Sequence, residues 1–239
     1  MGLRPICSEL GEIIEVDESA RGLGIFIAYT FAWSEGTTAI KGYPFESEVK
    51  YLLKEIPRKY SLDSLRNDPI VRAYRDFYWR IGIDPTKTRP ASEALVRRVL
   101  RGSFPRINIV VDAGNIASVE TLVPIGLYDL GRAKLPLKIT LSRGGEVFKP
   151  IGGKPETLSP NVPVLVDSRG TVMHVYPHRD SVDTMIREDT KDALIVAAGV
   201  PNVPVELVKK AAERVAQLLT KAMWDWCRIT YVKPELLST

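Results

Sequence analysis

The sequence predicts an α+β fold in which a mixed or antiparallel sheet core is flanked by helices. Helical spacing of apolar residues runs through 45–101 and returns near the C-terminus, whereas short β-type runs lie between these regions. Gly and Pro interrupt the short runs, as is typical of strands joined by tight turns. Hydrophobic residues make up 45% of the 239 residues and charged residues 26%, which fits a globular protein with a sizeable core.

Four helices are predicted, over 45–60, 62–81, 92–101 and 204–226. Pro69 must break the second helix or begin its second part, because proline is tolerated only in the first turn. The stretch 82–90 reads as a loop rich in Pro and Thr. Ser92 or Thr88 is the predicted N-cap of the third helix.

Five β-type runs are predicted, over 107–112, 137–141, 162–167, 171–176 and 193–198. Ser168-Arg169-Gly170 predicts a hairpin between the third and fourth runs. The first run stops abruptly at Asp112-Ala113-Gly114-Asn115. Gly114 can adopt a backbone conformation closed to other residues, and Asn115 can cap a helix over 116–122. Asp112 and Asn115 then either carry function at the end of a strand or only shape its turn.

Charge and cysteine content narrow the class of protein. The net charge of +4 and the pI of about 9.0 permit an anionic partner such as RNA without demonstrating one. No apolar run approaches the roughly 20 residues that span a bilayer, and 1–11 lacks the layout of a signal peptide. Cys7 and Cys227 are too few for a disulfide framework or a four-ligand zinc site. We therefore expect a reducing, cytoplasmic location and neither a metal nor a cofactor.

Several side chains are candidates for acid–base chemistry. His174 and His178 are the only histidines, and either can act as acid or base near neutral pH. Four residues apart on a strand, they lie about 13 Å apart along the chain and do not stand one above the other as on a helix, which disfavours metal binding. The further candidates for a general base are carboxylates, each of which is otherwise a solvated surface group: Glu120, Asp129, Asp180 and Asp183.

A set of arginines is the candidate RNA-binding surface, because guanidinium groups can track a phosphate backbone. Its members are Arg89, Arg97, Arg98, Arg101 and Arg106. The alternative is ordinary compensation of a helix dipole at the helix C-terminus. Tyr74, Phe77 and Tyr78 are interleaved nearby, but their helical spacing favours core packing over stacking on bases.

The run INIVVDAGNIASVETLVPIGLYD, 107–129, resembles the B3/B4 region of the phenylalanyl-tRNA synthetase β chain. The matching positions are Ile107-Asn108, Val111-Asp112, Asn115, Pro124 and Tyr128-Asp129. Downstream, Gly145-Glu146, the turn 167–170 and Asp189-Thr190 also look similar, and 73–102 looks like freestanding proteins built around this domain. The resemblance covers roughly residues 60–220.

The resemblance implies a domain that handles the aminoacyl end of tRNA. In the synthetase this domain hydrolyses tyrosine wrongly attached to the phenylalanine tRNA, a second sieve for a near-isostere. A freestanding copy could do the same in trans with a positioned water and no metal. The implied catalytic candidates are His174, His178 and Asp129, and the implied substrate-binding candidates are Asp112, Asn115, Glu120, Gly126 and Val196.

Three departures from the family pattern affect the pocket. Gly126 stands where the synthetase has histidine, Gly114 where it has threonine, and Val196 where it has glutamate. These changes argue against tyrosine editing by the same contacts. The alternative function is therefore a non-catalytic module that binds RNA or an amino-acid-like ligand.

Three segments are predicted along the chain: an N-terminal extension packed on the core over 1–60, a B3/B4-like domain over 61–226 and a C-terminal tail over 227–239. The expected partner is tRNA or aminoacyl-tRNA.

Overall fold

A computed structural model describes residues 6–36 and 42–234. The helices in these residues are α1 (Ile6–Glu9), α2 (Glu18–Gly22), α3 (Glu46–Lys59), α4 (Pro69–Arg80), α5 (Ala91–Leu100), α6 (Ile109–Thr121) and α7 (Val205–Thr220). The strands are β1 (Ile14–Val16), β2 (Phe26–Trp33), β3 (Ile125–Asp129), β4 (Leu137–Leu141), β5 (Val147–Phe148), β6 (Glu156–Thr157), β7 (Pro163–Val166), β8 (Val172–Val175), β9 (Arg179–Asp180), β10 (Asp192–Gly199), β11 (Asp225–Trp226) and β12 (Tyr231–Lys233).

Two main sheets form the core, and the predicted α+β class is confirmed. The helix-backed sheet has the order β11-β2-β10-β3, with β12 also paired to β2, and all its pairs are antiparallel. Helices α6 and α7 pack against it. The mixed sheet has the order β1-β4-β7-β8-β9, in which only the β1–β4 pair is parallel. The strands β5 and β6 form a separate small pair.

The centre of the helix-backed sheet is the pair of long strands β2 and β10. They pair over their whole length, from Asp192 opposite Trp33 to Gly199 opposite Phe26. All eight residues of β2 are buried, so a strand from 26–33 is an integral part of the core. The division at residues 60 and 226 stays a prediction about domain organisation.

The predicted helix over 45–60 is confirmed as α3, whereas of the one predicted over 62–81 only the part from Pro69 onward forms α4, after a short 3₁₀ turn at Leu65–Asn67. Pro69 occupies the first turn of α4, and the Asp68 side chain accepts a hydrogen bond from the amide of Ile70. The predicted caps of α5 are wrong, because Pro90 holds the N-cap position without a side-chain bond and Ser92 lies inside the first turn. The last helix ends at Thr220 rather than 226, since Met223 adopts a left-handed backbone conformation.

The predicted strand at 107–112 is wrong, because this run enters the long buried helix α6. Asn108 caps the helix by accepting a hydrogen bond from the amide of Val111 at 2.9 Å. Asn115 therefore caps nothing and lies in mid-helix, and Gly114 has no positive φ. Burial of α6 among α3, α5, α7 and β3 outweighs the strand preference of Ile109, Val110 and Val111.

The other four β-type runs correspond to β4, β7, β8 and β10, and the predicted hairpin joins β7 to β8. The two cysteines pair with each other, since Cys7 in α1 forms a disulfide with Cys227 after β11. Among the described residues, no helix combines the length and the apolar character that crossing a membrane requires.

Candidate functional site

A cavity opens between the two sheets, and we call it the inter-sheet pocket. From the helix-backed sheet, β3 and β10 supply Gly126, Tyr128 and Val196. From the mixed sheet, β8 supplies His174, and β9 supplies Asp180 at the edge. The space that a water-sized sphere can occupy in the pocket is about 40 Å³, so the pocket is narrow; the empty space with its open mouth included is about 410 Å³. Two packed sheets stand about 10 Å apart, and side chains normally fill the space between them. A cavity remains where no large side chain does so.

The most polar part of the pocket is the pair formed by His174 and Asp180. The two residues lie opposite each other on β8 and β9, and His174 Nδ1 is 2.8 Å from Asp180 Oδ1. His174 is buried, with 7% of its surface exposed. Burial first, and then the charge of the neighbouring Asp180 carboxylate, hold the pKa of Tyr128 well above its usual value. Tyr128 is therefore a neutral phenol at the pocket wall.

His178 reaches the same pocket from the turn after β8. Its Nε2 accepts a hydrogen bond from Arg179 Nε at 3.1 Å, and its buried Nδ1 has no partner among the described residues. Burial, helped by the charge of Arg179, lowers the pKa of His178 to about 3. The imidazole is accordingly neutral at physiological pH, and its charged form is strongly disfavoured.

The floor of the pocket is the cross-strand pair Gly126 and Val196. A Cβ atom on Gly126 would lie 2.1 Å from the Tyr128 hydroxyl oxygen, well inside van der Waals contact. Glycine at position 126 therefore leaves room for the phenol of Tyr128. The Tyr128 phenol occupies the space that a side chain at position 126 would take.

A wider groove adjoins the pocket, and the two share Ala91, Ile125 and Asp180. The groove runs between α5 and α6, and the space that a water-sized sphere can occupy in it is about 410 Å³. Asn115 and Arg98 line it together with apolar side chains. The pocket and the groove lie side by side with Asp180 on their shared border, and we call the two together the two-part cleft.

Gly114 also lines this groove, but its role is packing. A Cβ atom there would come within 2.6 Å of Leu127 Cδ1. The absence of a side chain lets α6 approach β3 closely. Asn115, the next residue, is half-buried with its side chain toward the groove.

Asp112, predicted to orient the substrate, instead stabilises the start of α6. Its carboxylate accepts hydrogen bonds from the amide of Ile107 at 2.8 Å and from the Tyr43 hydroxyl at 2.9 Å. Burial raises the pKa of Asp112 despite these bonds. Asp112 lines neither the pocket nor the groove.

Asp129 and Glu120 also lie outside the cleft. Asp129 accepts hydrogen bonds from the amide of Gly131 at 2.9 Å and from Thr190 Oγ1 at 2.8 Å. It therefore ties the end of β3 to the loop before β10, so the segments Tyr128-Asp129 and Asp189-Thr190 are joined in the fold. Glu120 makes a two-pronged ion pair with Arg214, at 2.7 and 2.9 Å, between α6 and α7.

The arginine set divides into two groups. Arg97 and Arg89 lie 3.6 and 3.8 Å from the fully buried carboxylate of Glu93, which also receives two hydrogen bonds from Arg75. Arg106 pairs with Glu46 at 2.7 Å. Arg98 and Arg101 are exposed and form no ion pair with the described residues.

The structure therefore brings together part of the predicted site. His174, His178, Gly126 and Val196 line the pocket, and Asn115 lines the groove. The two histidines were not expected to lie together as they would on a helix, but both line the pocket, because the chain turns after β8 and carries His178 back to it. The pairing of His174 with Asp180 was not predicted; its signal was the six-residue spacing across a hairpin at Pro177.

In the part of the chain that the structure describes, no three His, Cys, Asp or Glu side chains converge as a metal site would require. The polar groups of the cleft include one imidazole–carboxylate pair, a neutral imidazole, two phenols, two amides, a hydroxyl and a guanidinium. Such a set suits a ligand that combines a small organic group with an anionic portion.

Comparison with known proteins gives three similarities. A family model described as the B3/4 domain matches residues 73–223. A stretch of 112 residues is 31% identical to the phenylalanine–tRNA ligase beta subunit of Nitrobacter winogradskyi, and it covers 47% of this chain but only 14% of that protein. An N-terminal fragment of the phenylalanyl-tRNA synthetase beta subunit from Pyrococcus horikoshii has a TM-score of 0.47 and 16% identity, over 95% of this chain and 55% of that one.

The family match includes the whole cleft. Every residue that lines the pocket or the groove lies between residues 91 and 198, inside the matched segment. The matched segment also covers more than half of the 239 residues. The protein therefore belongs to the B3/4 domain family.

Proposed function

We propose that the protein binds tRNA and hydrolyses mischarged aminoacyl-tRNA in trans. The observation that carries the proposal is the two-part cleft, in which a narrow pocket with an imidazole–carboxylate pair opens onto a wider groove with an exposed arginine. An aminoacyl ester at the end of an RNA strand has the same two parts: a small organic group and an anionic chain.

The inter-sheet pocket is suited to the amino-acid portion. Pro124, Val196 and Ala198 give it apolar walls, while His174 and Asp180 supply polar groups at one side. Apolar walls with a few convergent polar groups are the usual composition of a small-molecule site. Gly126 and Val196 offer no charged contact, so the pocket selects by size and shape rather than by pairing with a polar side-chain tip.

The groove is suited to the RNA portion. Arg98 lines it from α5, and Arg101 lies one turn further along at the helix end. Ile107 and Ile151 also line it, and they remain 66% and 53% exposed. Exposed apolar side chains beside a guanidinium provide contact for a base or ribose and a charge for the phosphate.

The chemistry is a water-dependent ester cleavage. Water adds to the carbonyl carbon of the aminoacyl ester, the bond from that carbon to the ribose oxygen breaks, and free amino acid and uncharged tRNA leave. The identity to a phenylalanine–tRNA ligase beta subunit supports tRNA as the nucleic acid. The proposal places the protein in the cytoplasm; with the Cys7–Cys227 disulfide, that location fits organisms whose intracellular proteins carry disulfides, as in hyperthermophiles.

A deacylation assay tests the proposal. The protein is incubated with a panel of tRNAs mischarged with different amino acids, and release of amino acid is compared with release in buffer. We expect acceleration for at least one member. Val196→Phe, which fills the pocket floor, should abolish the acceleration while tRNA affinity is retained. Val147→Phe, at a position that is 60% exposed, is the matched control and should leave release unchanged.

Two outcomes contradict the proposal. Intact tRNA binding without acceleration across the panel would favour the non-catalytic binding module. Absence of tRNA binding at low salt would remove tRNA as the partner altogether.

A further inference from the structure

The pair His174 and Asp180 has the geometry of an oriented base. The antiparallel register of β8 and β9 places the two residues directly opposite each other, so the short Asp side chain reaches the imidazole without bending the backbone. A carboxylate can only accept, and His174 Nδ1 at 2.8 Å is therefore the donor. The proton on Nδ1 leaves the lone pair of the neutral ring on Nε2.

His174 Nε2 is the atom available to a ligand. It forms no hydrogen bond with any described residue, and it is not among the buried polar atoms that lack a partner. Since His174 lines the pocket, Nε2 is accessible from the pocket side. The imidazole thus offers an accepting nitrogen to whatever enters.

The surroundings of His174 hold the ring in place and keep it from other charges. The rings of Tyr128 and Tyr176 contact it edge-on, with centroids 6.2 and 5.9 Å away. Tyr176 is itself fixed, because its hydroxyl donates to the carbonyls of Phe26 and Gly199. Asp180 faces His174 from β9, the neutral phenol of Tyr128 from β3 and the neutral imidazole of His178 from the following turn; the pocket neighbours on β4 and β7 are the apolar Ile139 and Leu165.

His178 lacks these properties although it lines the same pocket. Its Nε2 already accepts from Arg179, and its Nδ1 is buried without a partner. The low pKa of His178, caused chiefly by burial, makes it a poor proton acceptor as well. Of the two histidines, only His174 combines an orienting carboxylate with a free ring nitrogen.

We propose that His174 is the general base of the cleft and that Asp180 is its positioning residue. This inference rests on the ester hydrolysis proposed above. His174 Nε2 takes a proton from the attacking water as the new bond forms between its oxygen and the ester carbon. The imidazolium, stabilised by Asp180, then gives that proton to the ribose oxygen as the ester bond breaks, so the base is regenerated.

Steady-state deacylation of the tRNA that the wild-type protein cleaves fastest tests the assignment. His174→Gln should lower kcat/KM by about 10²- to 10⁴-fold, the range for loss of a general base. Asp180→Asn should lower kcat more than it raises KM and should move the acid limb of the pH–rate profile, which a merely structural role would not do. Asp63→Asn, the same change at an exposed position outside the pocket and the groove, is the matched control for Asp180→Asn and should stay within about threefold of the wild-type rate.

Two further measurements use the wild-type protein, so they test the role of His174 even if a variant does not fold. The wild-type rate should fall tenfold per pH unit on its acid limb, as expected for one protonating base. Nitrogen NMR shifts of the wild-type protein should report His174 as the Nδ1–H tautomer. A flat acid limb, an Nε2–H tautomer, or an active His174→Gln variant would overturn the role of His174. A wild-type protein that deacylates nothing would instead overturn the hydrolase proposal, and this inference with it.

Discussion

His178 shows how burial fixes the charge state of a single side chain in the cleft. In the folded protein its pKa is lowered to about 3, whereas an unfolded histidine has a pKa of about 6.5. Between these values the unfolded chain binds a proton that the native state does not. The folded state is consequently favoured above pH 6.5 and loses this advantage as the pH falls toward 3.

We therefore expect the free energy of unfolding to decrease between pH 6.5 and 5 in the wild-type protein by at most about 1.4 kcal/mol per pH unit from this residue. His178→Gln should flatten that decrease, because the variant has no group at 178 to protonate. Denaturant unfolding at half-unit pH intervals measures the difference. Carboxylates remain mostly ionised in this window, so an equal slope in both proteins would show that His178 is not the source.

Helix α5 combines two kinds of arginine. Glu93 is fully buried at its inner side, and Arg75 from α4 donates to both carboxylate oxygens at 3.2 and 3.0 Å. Arg97 lies nearby in the same cluster. Arg98, the next residue along, is exposed at the groove. A single residue step along the helix thus separates a guanidinium beside a buried carboxylate from one that is exposed at the groove.

The two kinds should respond oppositely to substitution. Arg98→Ala should leave the free energy of unfolding unchanged and weaken tRNA binding, with the slope of log affinity against log salt reduced by about 1. Arg75→Ala should instead cost about 3 kcal/mol of stability, because it leaves the Glu93 carboxylate buried with fewer partners. Filter binding across a salt series and denaturant unfolding measure the two effects. A salt slope that Arg98→Ala does not change would remove Arg98 from the RNA surface.

The elements also show what sequence patterns reveal. Helices α3, α4 and α7 have one apolar face and one solvated face, so the helical spacing of their apolar residues could be recognised in the sequence. In α6, most residues from Val110 to Thr121 are buried, and a helix that is apolar on most sides has no periodicity to distinguish it from a strand. The one sequence feature that indicated a helix was Asn108, a favourable N-cap residue directly before Ile109. Strand β2 was missed for the same reason, since both of its faces are buried.

The candidate site was predictable only in its parts. His174, Gly126 and Val196 lie on three different strands, β8, β3 and β10, and only the packing of two sheets brings them together. Asp112 and Asp129 stood out in the sequence because they fix a helix start and a loop, which are structural requirements of the same fold. In a sequence, a polar residue that stabilises the fold cannot be distinguished from one that lines a functional site.

At the scale of the whole molecule, the disulfide between Cys7 and Cys227 joins residues 220 positions apart. Cross-linking so long a segment removes much of the freedom of the unfolded chain. By the chain-entropy relation, the stabilisation is about 5 kcal/mol, an upper value for real disulfides. The bond also holds α1 against the end of the helix-backed sheet, where β11 and β12 pair with β2.

We expect Cys7→Ser to lower the free energy of unfolding by several kcal/mol, up to about 5 kcal/mol, without changing deacylation at temperatures where the variant is folded. The cleft lies wholly within 91–198, so the bond does not touch it. Denaturant unfolding with and without a reducing agent is the measurement: the reductant should destabilise the wild-type protein and leave Cys7→Ser unaffected. Equal stability of the oxidised wild-type protein and the variant would contradict this expectation.

The Tyr176 hydroxyl has a consequence for how this scaffold can diversify. Tyr176 follows β8 directly, and its hydroxyl lies 3.0 Å from the carbonyl oxygen of Phe26 and 2.7 Å from that of Gly199, both in the helix-backed sheet. These hydrogen bonds fix the distance between the two sheets at this point. The width of the cleft is therefore set by the distance between the two sheets and not by the side chains that line it. Wall residues such as those at 126 and 196 can therefore be exchanged without rebuilding the framework that separates the two sheets.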